Sequence, residues 1–159
     1  MKTCTLLFLI KRDSDKNIKD ILLAMKKRGF GVGKYNGVGG KVEIEERVEE
    51  AAIREAQEEI GVSIIEKDLE KVGSIDFYFK FKPDWNQIVH IFFVENWTGD
   101  IKETEEMSPN WYGIVDIPYD KMWDDDKHWL PTAISGNKIS GSFTFDDNGM
   151  VIENNLKII

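Results

Sequence analysis

The fold is decided by GVGGKVEIEERVEEAAIREAQEEIGV, residues 37–62, where a glycine-rich segment leads into an acidic helix. Helical character runs over Glu46–Ile60 and is predicted to stop at Gly61, because glycine commonly ends helices. At about 3.6 residues per turn, the helix carries an apolar stripe on one side. Its members are Val48, Ala52, Ala56 and Ile60, flanked by Ala51. That stripe should face the core.

Two glutamates lie on the same side of the helix as the apolar stripe. With Val48 at zero, Glu55 falls at about 340° and Glu59 at about 20°. Glu58 lies at the edge of the stripe, at about 280°. Most charge runs are solvated faces, but a carboxylate among apolar side chains is costly unless something compensates for it. A divalent cation would offset both the burial and the repulsion between glutamates, and oxygen ligands suit Mg²⁺ or Mn²⁺.

The residues around these glutamates favour a metal-binding interpretation. Gly39 and Gly40 precede the helix, and glycine lets the backbone approach a ligand closely and offer a carbonyl oxygen to a metal. A glycine pair alone is also typical of an ordinary turn, so it counts only together with the clustered carboxylates. Arg54 stands four residues before Glu58, which favours a supporting ion pair.

Length, charge and cysteine content bound the class of protein. The chain has 159 residues, which predicts one domain over 1–159 with one core. Its formal net charge of -8 argues against direct binding to the DNA backbone, which needs a basic surface. Cys4 is the only cysteine, which predicts a reducing compartment, here the cytoplasm. The apolar run Thr3–Ile10 is too short to span a bilayer, so no membrane association is expected.

Strands dominate the predicted secondary structure, with two helical segments, so an α+β or layered mixed-sheet domain is expected. Strands are predicted over Thr3–Lys11, Asp20–Lys27, Leu69–Lys82, Gln87–Trp97 and Trp111–Val115, and a closing pair lies within residues 138–159 around an Asp-Asn-Gly turn. Phe30–Gly40 is predicted to be a loop because it carries five glycines. Tyr119–Ser135 is predicted to be partly helical, with its length limited by Pro131.

Spaced residues in the opening stretch match the pattern G-x5-E-x7-R-E-U-x-E-E-x-G-U, where U is a bulky aliphatic residue. The matching residues are Gly40, Glu46, Arg54, Glu55, Glu58, Glu59, Gly61 and Val62. This pattern resembles the Nudix box. Ala56 occupies one of the U positions and is smaller than usual there.

The resemblance extends beyond the box over most of the chain. Four further segments, in the same order, resemble the MutT-type oxidised purine nucleoside triphosphatases of animals. They are MKKRGFGVGKYNGVGGKVE (25–43), EEMSPNWY (105–112), DKMWDDDKHWLP (120–131) and GSFTF (141–145). The resemblance implies the Nudix fold, an α/β/α sandwich around a mixed β-sheet. It also implies Mg²⁺-dependent hydrolysis of a small-molecule nucleotide, an oxidised purine nucleoside triphosphate, to the monophosphate and pyrophosphate. A monomer is expected.

By position, the resemblance also implies roles at the phosphate end of the site. Metal ligands or their near neighbours are expected at Gly39, Glu55, Glu58, Glu59 and Glu106, whereas Glu46 and Arg54 are expected to hold the box in shape. Metal ions neutralise the triphosphate and activate a bound water, and a carboxylate accepts the proton of that water. Glu58 and Glu59 are the candidates for that base. Lys41 is either a phosphate contact or a solvated loop lysine.

The base pocket is expected to involve MWDDDKHW, residues 122–129. An aromatic face stacks on purines, and two adjacent carboxyls near an apolar ring can share a proton and meet donor or acceptor edges. By resemblance the base contacts are Asn36, Trp123, Asp125 and Asp126, the apolar walls are Phe30 and Phe77, and Lys26 lies near that wall. Without the resemblance, the same segment could instead be the acidic start of a helix, with its tryptophans packed in the core.

Two other functions remain open from the sequence. The same class of enzyme could act on another nucleoside diphosphate derivative, such as a dinucleoside polyphosphate or ADP-ribose. Alternatively, the fold could serve as a non-catalytic nucleotide-binding module. The complete set of glutamates favours an enzyme over a binding module, and the aspartate pair beside tryptophan favours an oxidised purine over the other substrates.

Overall fold

The computed structural model describes residues 1–159, which form eight strands and two α-helices. The elements are β1 (Lys2–Arg12), β2 (Ile18–Lys26), β3 (Tyr35–Asn36), α1 (Val48–Ile60), β4 (Glu70–Phe79), β5 (Gln87–Val94), β6 (Met107–Gly113), α2 (Asp126–Ile134), β7 (Ile139–Phe145) and β8 (Val151–Ile158). Four short 3₁₀ helices lie in the connections, one of them at Pro83–Trp85 between β4 and β5. Neither α-helix has the length and apolar character that a bilayer crossing requires.

All eight strands belong to one mixed sheet. Its order is β3-β2-β1-β5-β4-β7-β8, and β6 also pairs with β2. β1 is parallel to β5 and β4 is parallel to β7, whereas the remaining pairs are antiparallel. Parallel strands need a long crossover connection. The chain between β1 and β5 contains α1, and the chain between β4 and β7 contains α2.

The two faces of the sheet are covered by different helices. Successive strand residues point to opposite faces, and in β1 the residues Leu7 and Leu9 pack in one apolar cluster while Phe8 and Ile10 pack in another. To the first cluster α1 contributes Ala52, Ala56 and Ile60, and to the second α2 contributes Trp129, Leu130 and Ala133. The predicted α/β/α sandwich around a mixed sheet is therefore confirmed, and the apolar stripe of α1 faces the core as expected.

The helix α1 begins at Val48, slightly later than predicted. Arg47 has an extended backbone and is the N-cap, and its N–H donates to the Glu50 carboxylate at 2.9 Å. This bond caps the N-terminus of the helix, so the helical backbone begins at Val48. The helix ends as predicted, with Gly61 in the left-handed conformation at φ 76°.

Strand boundaries differ from the predicted ones where pairing decides them. β6 begins at Met107 rather than Trp111, because it pairs with β2 from Lys26 to Asp20. Pro109 is tolerated within β6, since this strand pairs on one side only. The predicted glycine loop contains the two-residue strand β3, whose pairing with β2 places Asn36 beside Ala24.

Candidate active site

Arg54 forms hydrogen bonds with several carboxylates of α1 and of the segment that precedes it. Its guanidinium donates to both carboxylate oxygens of Glu46, at 2.7 and 3.0 Å, and to Glu55 at 3.0 Å. It also donates to Glu58 at 3.3 Å, which is the predicted ion pair, and to the Lys41 carbonyl at 3.1 Å. The bonds to Glu46 lower the pKa of that carboxyl and raise the pKa of Arg54. The arginine therefore joins the glycine segment to α1, which is the geometry expected of a supporting residue.

Glu59 is turned inward, as the helical wheel predicted. The residue is 7% exposed, and its Oε2 atom has no hydrogen-bond partner. Burial, together with the neighbouring Glu55 carboxylate, raises the pKa of Glu59 to about 9, against the opposing effects of Lys26 and the Gly39 N–H. An ionised Glu59 is therefore unfavourable at this position unless a cation lies beside it.

Gly39 and Gly40 bring the backbone against both β1 and the helix carboxylates. A Cβ at Gly39 would lie 1.8 Å from the Thr5 carbonyl oxygen, and a Cβ at Gly40 would lie 2.5 Å from Glu55 Oε1. The segment is held in place because the Thr5 N–H donates to the Gly40 carbonyl at 2.9 Å. Close approach to backbone therefore requires glycine at position 39, whereas a side chain at position 40 would displace the Glu55 carboxylate.

The oxygen atoms of Glu55 and Glu59 fit a hard cation such as Mg²⁺. The donors are carboxylates, Glu59 Oε2 is buried without a partner, and the Glu55 side chain is only 14% exposed. No group of three or more acidic, histidine or cysteine side chains is already gathered around one point. The inward pair Glu55 and Glu59 is thus the nucleus of the candidate metal centre, and a bound ion would complete its coordination with other oxygens.

The two other glutamates predicted near the metal are turned towards arginines. The Glu58 side chain is 56% exposed beside Arg54. Glu106 accepts hydrogen bonds from Arg28 at 2.8 and 3.2 Å. The segment that carries Glu106 nevertheless adjoins the end of α1, since Thr104 Oγ1 donates to the Glu59 carbonyl at 2.8 Å. The structure therefore gives Glu58 and Glu106 arginine partners, and Glu58 shares Arg54 Nη1 with Glu55 of the inward pair.

A cavity of about 340 Å³ is lined by residues from both predicted ends of the site. A cavity of this size suits a small-molecule ligand. All the predicted substrate residues line it, namely Lys26, Phe30, Asn36, Lys41, Phe77, Trp123, Asp125 and Asp126. Gly39 and Gly40 also line the cavity, which puts Glu55 directly behind its wall. The fold thus gathers the base-binding candidates and the glycine segment around one space.

Asp125 and Asp126 are buried in the wall of the cavity, at 5% and 1% exposure. Asp125 Oδ2 accepts a hydrogen bond from Trp129 Nε1 at 2.8 Å, whereas Asp126 Oδ2 has no partner. Burial raises the pKa of Asp125 to about 7, and burial together with the Asp125 charge raises the pKa of Asp126 well above its ordinary value. These shifts favour one shared proton on the pair near neutral pH, which presents an O–H donor beside a carboxylate acceptor.

The three aspartates 124–126 also lie at the start of a helix, which is the alternative interpretation of this segment. Asp125 is the N-cap of α2 and Asp126 is its first residue, so the run does begin a helix. Trp129 is fully buried in the core, whereas Trp123 lines the cavity. Asp124 has a structural contact, because its Oδ2 accepts the Val151 N–H of β8 at 2.9 Å.

Aromatic rings form the apolar walls of the cavity. Trp123 and Phe30 stack with their ring centroids 5.2 Å apart and an angle of 23° between the planes. Phe77 is 8% exposed and stacks on Phe143 and Phe145, with centroids 6.0 Å away in each case. Flat faces of this kind suit the faces of a purine.

Lys34 and Gln87 line the same cavity but were not predicted to do so. Lys34 Nζ lies 5.1 Å from the centre of the Trp123 ring. Gln87 stands opposite Phe77 in the β4–β5 pair, so both side chains share one face of the sheet. The strand register would have revealed Gln87, but a single sequence does not fix that register. Nothing in the glycine-rich loop distinguished Lys34.

Known proteins resemble the chain in sequence and in fold. Residues 5–133 match the NUDIX domain family. The chain is 42% identical over 136 residues to the oxidized purine nucleoside triphosphate hydrolase of Danio rerio, across 86% of this chain and 85% of that protein. It is 42% identical over 137 residues to the protein of the same name from Mus musculus, across 86% of each. The crystal structure of the MutT protein from Bacillus halodurans superimposes with a TM-score of 0.79 at 18% identity, covering 99% of this chain and 98% of that one, which shows a shared fold.

Proposed function

The chain belongs to the NUDIX domain family, and from that premise we propose that it hydrolyses oxidised purine nucleoside triphosphates to the monophosphate and pyrophosphate. The substrates are of the 8-oxo-dGTP and 2-hydroxy-dATP type, and their removal keeps damaged bases out of DNA. Relatives named for this activity match most of the chain at 42% identity. The observation that carries the proposal is a buried aspartate pair in the wall of one cavity, with an inward carboxylate pair behind the glycine segment of the same wall.

At the base end, Asp125 and Asp126 would bind the polar edge of the purine. A pair that holds a shared proton offers a donor and an acceptor side by side, so it can meet an edge whose pattern oxidation has changed. Asn36 Oδ1 already accepts the Gly37 N–H at 2.9 Å, which leaves its amide hydrogens for an acceptor on the base. Trp123 would supply a stacking face, an interaction worth about 1–3 kcal/mol per base.

At the phosphate end, Glu55 and Glu59 would hold the metal ion, with the Gly39 carbonyl as a further oxygen donor. When bound, Mg²⁺ would neutralise phosphate charge and lower the pKa of the attacking water. Mn²⁺ suits the same oxygen donors. Lys26 and Lys41 both line the cavity and would place positive charge near the phosphate oxygens.

Of the two candidate bases, Glu58 fits the role of proton acceptor better. Its side chain is 56% exposed and interacts with Arg54 alone, so carboxylate lone pairs remain free to accept a proton from water. Glu59 is buried against Glu55, which suits a ligand. We therefore assign Glu58 as general base and Glu59 as metal ligand, with Glu106 near the ion after its carboxylate leaves Arg28.

We also propose the oligomeric state of the protein, the form of its substrate and its cellular compartment. We propose that the enzyme acts as a monomer. The net charge of -8 opposes direct binding to DNA, so the substrate is the free nucleotide. We place the protein in the cytoplasm, where the free thiol of Cys4 would remain reduced.

A turnover assay with purified protein and Mg²⁺ tests this function. The panel contains 8-oxo-dGTP, 2-hydroxy-dATP, dGTP, dATP, a dinucleoside polyphosphate and ADP-ribose, and released monophosphate and pyrophosphate are measured. We expect the highest kcat/KM for an oxidised purine triphosphate, with pyrophosphate as the second product. A higher value for a dinucleoside polyphosphate or ADP-ribose would assign another substrate, and no turnover of any compound would indicate a binding module.

A further inference from the structure

The connection between β4 and β5 brings a tryptophan against the aromatic wall of the cavity. The Trp85 ring lies edge-on to Phe30, with centroids 4.7 Å apart and an angle of 76° between the planes. It also contacts Phe79, with centroids 5.6 Å apart at 83°. Phe30 in turn stacks on Trp123. Phe30 and Trp123 line the cavity, but Trp85 does not, so Trp85 supports the wall from outside.

Phe30 lies in a turn whose backbone is closed by a hydrogen bond from the Val32 N–H to the Gly29 carbonyl at 3.2 Å, which leaves the ring to be held by its own contacts. It lies outside the strands and helices and is 42% exposed. Its neighbours Gly29 and Gly31 have φ values of 83° and 80°, in the left-handed region that glycine adopts without strain. Glycine also restricts the chain least. The position of the Phe30 ring therefore depends on the rings that contact it.

The connection that carries Trp85 is, by contrast, well fixed. Its 3₁₀ helix begins with Pro83, whose ring restricts the backbone. Asn86 Oδ1 accepts the Phe79 N–H at 2.7 Å, which closes the connection onto the end of β4. Gln87 Nε2 donates to the Trp85 carbonyl at 3.1 Å. The connection therefore holds the tryptophan against the Phe30 ring, which lies on a turn flanked by glycines.

We propose that Trp85 is a positioning residue for the purine, because it holds Phe30 against Trp123 and so keeps the apolar wall of the base pocket in place. The inference rests on the proposed nucleotide hydrolysis and names a determinant of base affinity within it. No hydrogen bond, ion pair or aromatic contact of Trp85 reaches the aspartate pair or α1. Trp85 therefore acts on binding of the base and not on the chemical step.

Steady-state kinetics of Trp85→Ala with 8-oxo-dGTP and Mg²⁺ test the inference. The expected result is a rise in KM of about tenfold, equivalent to about 1.4 kcal/mol of binding, with kcat changed by less than about twofold. Trp85→Phe should restore most of the affinity, since a smaller ring can still meet Phe30. Inhibition by inorganic pyrophosphate, which has no base, should keep its inhibition constant in both variants.

Phe81→Ala is the matched control, because Phe81 is an aromatic residue of the same connection that is 65% exposed and should leave KM unchanged. An unaltered KM in Trp85→Ala would overturn the inference. So would a lower kcat with weaker pyrophosphate inhibition, since that pattern indicates general disruption of the site.

Calorimetric binding of the monophosphate 8-oxo-dGMP without metal separates this inference from the proposed function. If the wild-type protein binds the nucleotide but hydrolyses no triphosphate, the proposed hydrolysis fails, and weaker binding by Trp85→Ala would still support the role of Trp85. Equal binding by the variant and the wild type would contradict that role, and a wild-type protein that binds no purine nucleotide would contradict both proposals.

Discussion

Arg54 donates to both carboxylate oxygens of Glu46, at 2.7 and 3.0 Å, and this two-bond contact fixes the entry to α1. The planar guanidinium matches a carboxylate in this geometry, which makes such pairs strong and directional. Its remaining bonds reach Glu55 and Glu58. One arginine thus sets the direction of the Glu55 carboxylate in the candidate metal centre and of the Glu58 carboxylate beside it, and it ties the preceding loop to the helix.

Arg54→Lys should weaken both the fold and the metal centre. A lysine keeps the charge but cannot bind Glu46 and Glu55 together, so we expect the free energy of unfolding to fall by about 1–3 kcal/mol. Urea unfolding measures this loss, and a Mg²⁺ titration should show weaker binding. Arg47→Lys is the control, because Arg47 makes a similar two-bond contact with Glu66 but its side chain is 58% exposed, where screening by solvent weakens the contact. Equal losses in the two variants would show that the contact with Glu46 has no special role.

Glu59→Gln should abolish turnover while the fold survives. The amide matches the size of the buried carboxyl and carries no charge, so it resembles the protonated form that the raised pKa favours without metal. We expect kcat/KM to fall at least about 100-fold with no loss of thermal stability, measured by the assay above and by circular dichroism. Glu153→Gln, an exposed change on β8, should keep full activity. Wild-type rates in Glu59→Gln would remove this residue from the metal centre.

Asp125→Asn should change the preference among bases more than it changes the dependence on metal. An amide cannot switch between donor and acceptor by taking up a proton, although its oxygen can still accept the Trp129 N–H. We expect the ratio of kcat/KM values for 8-oxo-dGTP and 2-hydroxy-dATP to shift by about tenfold, equivalent to about 1.4 kcal/mol. The Mg²⁺ concentration at half-maximal rate should stay the same. An unaltered ratio would exclude Asp125 from base recognition.

Asp126→Asn should change how stability depends on pH. Burial raises the pKa of Asp126 well above 3.8 and that of Asp125 to about 7, so the folded protein keeps protons that the unfolded chain releases. The stability contributed by these protons is full below pH 3.8 and is lost as the pH rises towards 7, by up to about 1.4 kcal/mol per pH unit for each group. The asparagine side chain does not titrate, so the variant should gain stability relative to the wild type as the pH rises above 3.8.

Urea unfolding at several pH values measures that difference. The control is Asp147→Asn, a change at an exposed position between β7 and β8. Its difference from the wild type should stay nearly constant over the same range of pH. A constant difference for Asp126→Asn would mean that the aspartate pair is already ionised in the folded protein.

The sequence predicted the parts of the fold that local patterns specify. The apolar stripe and Gly61 defined the face and the end of α1, and the wheel placed Glu59 inward, because each depends on residues only a few positions apart. The sandwich followed from the resemblance to the Nudix family. The start of β6 was misjudged because it is set by pairing with β2, a distant segment that periodicity within β6 does not reveal.

Only part of the candidate site was predicted, because local patterns do not reveal contacts between distant segments. The resemblance to the Nudix family identified the residues that line the cavity. It did not reveal which carboxylates point towards one another. Glu106 stays a predicted neighbour of the metal, but its contact with Arg28 was not foreseen because the two residues are far apart in the sequence. Trp85 went unnoticed because the connection that carries it has only weak resemblance to the family, and its contact with Phe30 depends on three-dimensional packing.

The most direct test of the central claim is a crystal structure of the protein with 8-oxo-dGMP and Mn²⁺, with the ion located by its anomalous signal. The claim is that one cavity joins a base-binding aspartate pair to a metal-binding glutamate pair. It predicts an anomalous peak between Glu55 and Glu59, and the edge of the purine within hydrogen-bond distance of Asp125 and Asp126. A metal peak away from α1, or a base bound away from the aspartate pair, would contradict the account.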